Sequence, residues 1–384
     1  MDLLLSDARV WASPAEPVSE PTTVLIRDGV VAHIGEQALA PAPANVVAVD
    51  GRVVCSGFWN CHVHLTGGKW QAARRGPAAV LQAALDDTFL SRGFTSVLDL
   101  SSNPTTTMPL IRRIESGELR GPGIMTAGSG IRPWRGIPFY VRDDVPWFLR
   151  WLMPGPATAA GARAVVALQA RSGATITKLF SGSYVEPTRV KPMRLRVAQA
   201  AVDAAHRRGM RVFAHPSNRE GTAVAVNAGV DALAHVPDET EGTEGLLREA
   251  ARRDIHVIPT LHMFASTVTT DESYLAPIRG ALRGFIDAGG HVLFGTDVGY
   301  MPDTETRGEY AAMHASGMDA ADILRSLTSA PERFFGRRDG GTIRVGNRAD
   351  LTILRTRGMP GPEDFADIHA VIKHGRLVFP SADS

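Results

Sequence analysis

Apolar and polar residues alternate in short stretches near the start of the chain, as in Asp7 to Trp11 and Thr23 to Ile26, and Asp28-Gly29 follows as a hairpin turn signal. This texture predicts short antiparallel strands. It returns near the other end, in residues 341–346, 349–354 and 370–379. Both termini are therefore expected to share one small β-sandwich domain, over residues 1–55 and 340–384.

Over residues 56–339 the rhythm changes to short apolar runs separated by helical patterns, the mark of βα units around a parallel sheet. Candidate strands are Gly57 to Leu65, Thr95 to Leu100, Gly123 to Ala127, Ala174 to Phe180, Arg211 to His215, Ala232 to Val236, His256 to Leu261 and His291 to Asp297. Helical patterns fall between them, as at Ala78 to Arg92, Ala159 to Arg171, Arg194 to Arg208 and Leu275 to Ala288. Eight such units predict an α/β fold, a (β/α)8 TIM barrel. One connection, Gly128 to Pro156, is longer than a routine loop and carries Trp134, Tyr140, Trp147 and Trp151. It reads either as a lid or as a surface excursion burying its own aromatics.

Composition narrows the function. A chain of 384 residues exceeds one ordinary hydrophobic core. Forty-one basic residues against 40 acidic ones, a net charge of +1, create no field that attracts nucleic acid or an anionic membrane. The expected partner is a small-molecule substrate, and a homo-oligomer is open. Cys55 and Cys61 are too few for a disulfide framework, and no apolar run spans 18 residues, so a cytoplasmic protein is expected. Only Lys69, Lys178, Lys191 and Lys373 are lysines, against 37 arginines. Arginine cannot lose its proton in a protein and lysine can, so a lysine kept in a pocket stands out.

In a barrel, catalytic groups lie at the C-terminal ends of strands. The first candidate strand ends in His62-Val63-His64, and alternation along a strand sends both imidazoles to one face, with Cys61 and Val63 on the other. Lys178 ends the fourth strand, His215 the fifth, His235 the sixth and Asp297 the eighth. Singly, these are a hydrogen-bonded histidine, a buried ion-pair lysine or a helix-capping aspartate. Jointly they point to a metal site. His262, just past the seventh strand, is a candidate for substrate contact or for support of the site, whereas His33, His206, His256, His291 and His374 carry no proposal.

This set resembles the amidohydrolase superfamily. The flanking text is similar as well: Thr177-Lys178-Leu179-Phe180, the run 227–231 ahead of Ala234-His235, and Gly340-Gly341-Thr342-Ile343 leading to residues 346–351. Within the superfamily the chain looks closest to the imidazolonepropionase-like group, in its lysine-bearing branch, which is similar to metal-dependent Xaa-Pro dipeptidases and aryl amide or carbamate hydrolases. The resemblance implies two divalent ions, expected as Zn2+ with Fe2+ or Mn2+ as alternatives. It implies that Lys178 is carboxylated by CO2 and bridges them, with His62, His64 and Asp297 on one ion and His215 and His235 on the other. It also implies a metal-bound hydroxide that attacks an amide-type C–N bond, with Asp297 as the catalytic residue that carries the proton to the leaving amine. A carbamate forms only from a neutral amine, which an arginine never offers.

Two departures bear on tuning. Asn60 stands where the family commonly has Asp, and Ala234-His235-Val236 where relatives often read Glu-His-Gly. Tyr184 and Arg189 match residue types that related dipeptidases use for a substrate carboxylate, and Arg132, Trp134, Arg135 and Tyr140 in the long connection are further candidates. The expected substrate is an N-acyl amino acid, a dipeptide or an aryl amide. A lactone, carbamate or ester hydrolase, or a decarboxylase or lyase, could use the same residues. A non-catalytic scaffold would be expected to lack ligands, and none of the six is missing. Neither G-x-S-x-G nor S-x-x-K occurs, which argues against a serine hydrolase.

Overall fold

The computed structural model describes residues 2–35, 45–142, 145–301 and 303–380. The remainder of the expected terminal domain, and residues 143–144 of the long connection, lie outside the described residues.

Five strands precede the first metal-ligand candidate: β1 (Leu3–Val10), β2 (Pro21–Arg27), β3 (Val30–Ile34), β4 (Asn45–Ala48) and β5 (Val53–Ser56). The parallel region holds β6 (Phe58–Val63), β7 (Phe94–Asp99), β8 (Gly123–Thr126), β9 (Thr177–Phe180), β12 (Val212–His215), β13 (Ala232–Leu233) and β14 (His256–Val257), with the hairpin β10 (Gly182–Glu186) and β11 (Arg189–Pro192) inserted after β9. β15 (Leu351–Leu354), β16 (Ile368–Lys373) and β17 (Arg376–Phe379) close the chain.

Strands from both ends do join, in one eight-stranded sheet ordered β17-β16-β15-β5-β1-β2-β3, with β4 also on β1. Alternation explains its core. Leu3, Leu5, Ala8 and Val10 of β1 are buried with Val24, Ile26, Leu351, Ile353, Ala370 and Ile372. A register shift between Leu5 and Ala8, where Asp7 has φ +53°, keeps all four β1 residues inward although their spacing is not strictly two. Asp28 and Gly29, both with positive φ, form the β2–β3 turn that their sequence announced.

The parallel strands form two arcs, β6-β7-β8 and β14-β13-β12-β9. Single bridges, Ile131 to Leu179, Val257 to Val292 and Val63 to Val298, connect neighbouring segments. One apolar cluster takes residues from all eight segments: Trp59 and Cys61, Leu98 and Leu100, Ala127, Ile176, Phe213, Ala232 and Ala234, Ile258, and Leu293. Phe334 and Ala330, from the helix Ser329–Phe334, pack on it. Glu332 of that helix accepts from Trp59 Nε1 at 3.3 Å and from Arg348 at 2.6 Å, tying β6 to the terminal sheet.

The last three expected strands are cut short, the sixth being regular only over Ala232–Leu233. The seventh is regular only over His256–Val257. Pro259 lacks an N–H for a ladder, Thr260 turns to φ +50°, and a helix begins at Leu261. The eighth, His291 to Asp297, forms no regular ladder. It still exchanges backbone hydrogen bonds with β14 (Leu293 N to Val257 O, 2.9 Å) and with β6 (Cys61 N to Phe294 O, 2.7 Å; Asp297 N to His62 O, 2.8 Å). The expected helix Ala78 to Arg92 ends at Thr88 and is followed by a tighter turn at Leu90–Arg92. The last expected helix starts earlier, at Glu272, where Asp271 caps it through Ser273 N. The long connection contains a short helix, Phe139–Arg142, and a turn at Trp147–Leu152. Trp147 is 79% exposed, so this aromatic is not buried by its own loop. Among the described residues no helix is long and apolar enough to cross a membrane.

Candidate metal centre

Strict alternation along β6 would conflict with the site. Trp59 and Cys61 both pack in the apolar cluster shared by the eight segments, so a regular strand would turn His62 away from it. The β6–β7 register instead shifts between Asn60 and Val63. His62 and His64 both reach Asp297, while Val63 packs with the larger cluster that includes the helices. The pairing of the two imidazoles read from the sequence holds. The expectation that Cys61 and Val63 share the opposite face does not.

Asp297 arrives by a different route. It sits at φ +65°, a conformation Asp tolerates better than most residues. Gly295 makes the approach possible, because a Cβ there would lie 2.3 Å from Ile258 Cγ2 and 2.8 Å from His62 Cβ.

The resulting distances are short. Asp297 Oδ1 lies 3.2 Å from His62 Nε2 and 2.9 Å from His64 Nε2, and Asp297 Oδ2 lies 4.0 Å from His235 Nε2. The His62 and His235 ring centroids are 4.6 Å apart, and those of His215 and His235 4.5 Å. Ligand atoms of His62, His64 and Asp297 all fall within 4.8 Å of one another. Buried polar atoms normally find a partner, yet His62 Nδ1 and Nε2, His215 Nε2 and Asp297 Oδ1 have no hydrogen bond. A cation is the partner that this donor set fits, because imidazole nitrogen and carboxylate oxygen are ligands for Zn2+ and its neighbours.

Neighbours fix the tautomers. His64 Nδ1–H donates to Ser101 O at 3.0 Å, which aims Nε2 at Asp297. Thr260 Oγ1 donates to Pro259 O, so at 2.7 Å it accepts from His235 Nδ1–H, which frees Nε2. Burial foremost, with Lys178 and other histidines nearby, holds His62, His215 and His235 well below the ordinary imidazole pKa. They are neutral, the state in which an imidazole can bind a cation. Lys178, 2% exposed on β9, is pushed down to about 7 by burial, against the pull of Asp297. Its amine is therefore partly neutral near pH 7.

Other sequence candidates separate by position. Tyr140 is half-buried against the Tyr300 ring at 5.3 Å and feels the charges of Asp297 and Arg132. Tyr184 OH meets Asp238 at 2.8 Å and Glu239 at 3.0 Å. Arg189 is 60% exposed and paired with Glu186 at 2.5 Å. Trp134 and Arg135 are exposed and stack on each other, 5.7 Å from guanidinium carbon to ring. His262 is half-buried; its backbone N donates to Glu309 at 2.7 Å. Arg132 is buried against Phe180.

Sequence reasoning missed Ser101, Thr260 and Glu309, which act on the histidines or their loops through the backbone or a hydroxyl and carry no ligand signature. Only Pro259 hinted that a turn would bring Thr260 to His235. Asn60 read as a lost carboxylate; its amide holds Thr296 on both sides.

Imidazoles and a carboxylate gathered where parallel segments of an α/β fold end make a cluster whose chemistry fits a metal ion. Residues 53–378 match the family model described as Amidohydrolase family, and the chain belongs to that family. Over 195 residues it is 29% identical to an uncharacterized protein of Mycobacterium tuberculosis, a match covering 48% of this chain and about half, 52%, of that relative's length. It is 23% identical over 407 residues to ochratoxinase of Aspergillus niger, covering 92% of this chain and 82% of the relative. Among solved structures, a Xaa-Pro dipeptidase with bound methionine superposes with a TM-score of 0.84 at 21% identity, covering 98% of this chain and 99% of the other. That last likeness is one of fold, a TIM barrel with a β domain.

Proposed function

We propose that this protein is a metal-dependent amidohydrolase that cleaves an amide-type C–N bond in a small molecule. The observation that carries this reading is the convergence of His62, His64 and Asp297, with buried nitrogen and oxygen atoms left without partners, beside Lys178, His215 and His235. Family membership supports it, and so do two similar proteins whose names denote ochratoxinase and Xaa-Pro dipeptidase activity.

In this reading residues 56–339 are the catalytic (β/α)8 barrel, closed around the site. Residues 1–55 and 340–384 are its β-sandwich domain. His62, His64 and Asp297 would hold one divalent ion, His215 and His235 a second, and a carboxylated Lys178 both, with zinc the leading identity. Such ions, when bound, polarise a carbonyl and acidify water. Asp297 Oδ1, within 3.2 Å of two imidazoles, is placed to take up a proton and return it to a leaving amine. Ser101 O and Thr260 Oγ1 keep the imidazole nitrogens of His64 and His235 aimed inward. Lactone, carbamate and ester cleavage, or decarboxylation, are further uses of the same residues. The near-neutral chain would take neither nucleic acid nor membrane as a partner, and its two buried free thiols suit the cytoplasm.

Elemental analysis with Lys178→Ala tests the proposal. Wild type should carry about two divalent ions per chain, and the variant at most one. Amide hydrolysis should fall roughly a thousandfold, the several kcal/mol a lost Lewis acid represents. Full activity with neither metal nor Lys178 would sink it.

A further inference from the structure

The two residues that sequence resemblance offered for a substrate carboxylate are occupied within the protein. Tyr184 OH lies between Asp238 and Glu239, an electronegative setting that repels an anion, and Arg189 is paired with Glu186 on the surface. Arg132 is in the opposite situation. It is 5% exposed, its Nη1 donates to Gly130 O at 2.9 Å, its Nε is enclosed without a partner, and among the described residues no carboxylate pairs with it. Burial lowers its pKa to about 10, so it stays charged at neutral pH. Enclosing a cation is costly in a folded protein unless an anion joins it, and the described residues offer Arg132 none.

Its location relates that cation to the candidate metal centre. Ile131 N donates to Lys178 O at 2.9 Å and Phe180 N donates to Ile131 O at 2.8 Å, so Arg132 follows directly on the rung that carries Lys178. The guanidinium carbon stands 5.0 Å from the Phe180 ring centroid; the same ring has Lys178 Nζ at 5.7 Å and the His215 ring at 5.3 Å. Tyr140 neighbours Arg132 electrostatically and packs on Tyr300, three residues past Asp297. An anion on Arg132 would thus sit one aromatic ring away from His215 and Lys178.

We propose that Arg132 is the specificity residue that binds a carboxylate on the substrate, close to the scissile amide, and that the substrates are N-acyl amino acids or dipeptides with a free C-terminus. Guanidinium is a planar fork that matches a carboxylate with two parallel hydrogen bonds, which a neutral aryl amide cannot use. The cleavage part of this statement rests on the hydrolase reading above; the binding part does not.

Calorimetric titration with N-benzoylglycine and with its neutral counterpart N-benzoylglycinamide tests it, on metal-loaded protein and again after chelation. A bound metal can itself attract a carboxylate; chelation removes that pull, and comparison with Arg132→Met separates Arg132 from Lys178. Wild type should bind the acid at least about tenfold more tightly than the amide in both states, the scale of one charge-assisted hydrogen bond. Arg132→Met should erase the preference in the chelated protein and leave amide binding unchanged, and Arg132→Lys should keep part of it. If the acid is turned over, Arg132→Met should raise its KM with kcat held. Equal binding of acid and amide by chelated wild type overturns the proposal, as does a preference that survives in Arg132→Met. Should the Met variant not fold, by circular dichroism, wild type and Arg132→Lys decide: an undiminished preference in the Lys variant overturns it. A carboxylate preference at Arg132 in a protein without metal or hydrolysis would defeat the hydrolase reading alone.

Discussion

Asn60 and Thr296 are clasped by two hydrogen bonds across the junction between β6 and the segment that delivers Asp297. Asn60 Nδ2 donates to Thr296 Oγ1 at 2.8 Å, and Thr296 N donates to Asn60 Oδ1 at 3.2 Å. The same Oδ1 accepts from His62 N at 3.2 Å. One buried amide therefore sets the spacing between His62 and Asp297, and it does so by donating and accepting at once, which a carboxylate cannot do.

Replacing Asn60 with Leu leaves two backbone N–H groups and a hydroxyl without this partner in a buried place. The expected loss is about 2–4 kcal/mol of stability, together with weaker metal retention. Urea denaturation and elemental analysis of the purified variant check both.

Thr260 holds His235 by a single contact at 2.7 Å. Thr260→Val keeps the shape but removes the acceptor for Nδ1–H, so the ring loses its fixed tautomer. Metal affinity should drop about ten- to a hundredfold, the usual cost of losing such support. Titration of the apoprotein with Zn2+ against a competing chelator measures it, and unchanged affinity would show that the hydroxyl does not orient the ring.

Glu309 lies wholly buried in the helix Arg307–Ala315 and accepts the backbone N–H of His262 at 2.7 Å, with the backbone of Leu261 and Thr260 close by. Burial raises its pKa from the usual carboxyl value to about 7, in spite of the nearby backbone N–H groups. A carboxyl raised on folding contributes stability that is fully present below its unfolded pKa, near 4.3, and is lost as pH climbs through about 7. Compared with wild type, Glu309→Gln should therefore gain stability between pH 5 and 8 by about 2–3 kcal/mol in order of magnitude. Thermal melts of both proteins across that window decide it, and parallel curves would remove Glu309 as the cause.

Gly295 is confined by Ile258 and His62. Gly295→Ala must displace one of them, and a close-packed interior yields at a cost of about 1–3 kcal/mol or more. The melting temperature should fall, and the gap between His62 and Asp297 should widen in a crystal structure of the variant.

Much of this was legible in the chain. The period-two runs at both ends place the strands of the terminal sheet, and the alternation of short apolar runs with helical patterns places the parallel ones to within a few residues. His62, His64 and Asp297 could be selected because each closes an apolar run, where such a fold puts chemistry. Less legible were the ends of the seventh and eighth segments. Apolar residues continue through Ile258 and up to Phe294, yet Pro259, the left-handed Thr260 and the crowding at Gly295 break the regular ladder. Those breaks depend on which backbone lies alongside, and period carries no information about that. Arg132 looked like one of several arginines in a long connection; its enclosure beside Phe180 was not visible in local sequence.

By itself the sequence determined the alternation of elements, the near-balance of charge and the identity of the groups able to bind a cation, because hydrophobic period, charge and side-chain chemistry are local properties. Only the tertiary structure decided that a register shift in β6 turns His62 toward Asp297, that Asn60 clasps Thr296, and that Arg132 is enclosed with no carboxylate on it among the described residues, while Arg189 is exposed and paired. Each of these depends on a neighbour distant in sequence: 236 residues separate Asn60 from Thr296. Burial, which governs the charge state of Lys178 and the cost of enclosing the Arg132 cation, is set by everything packed around a residue and cannot be assigned from the residue alone.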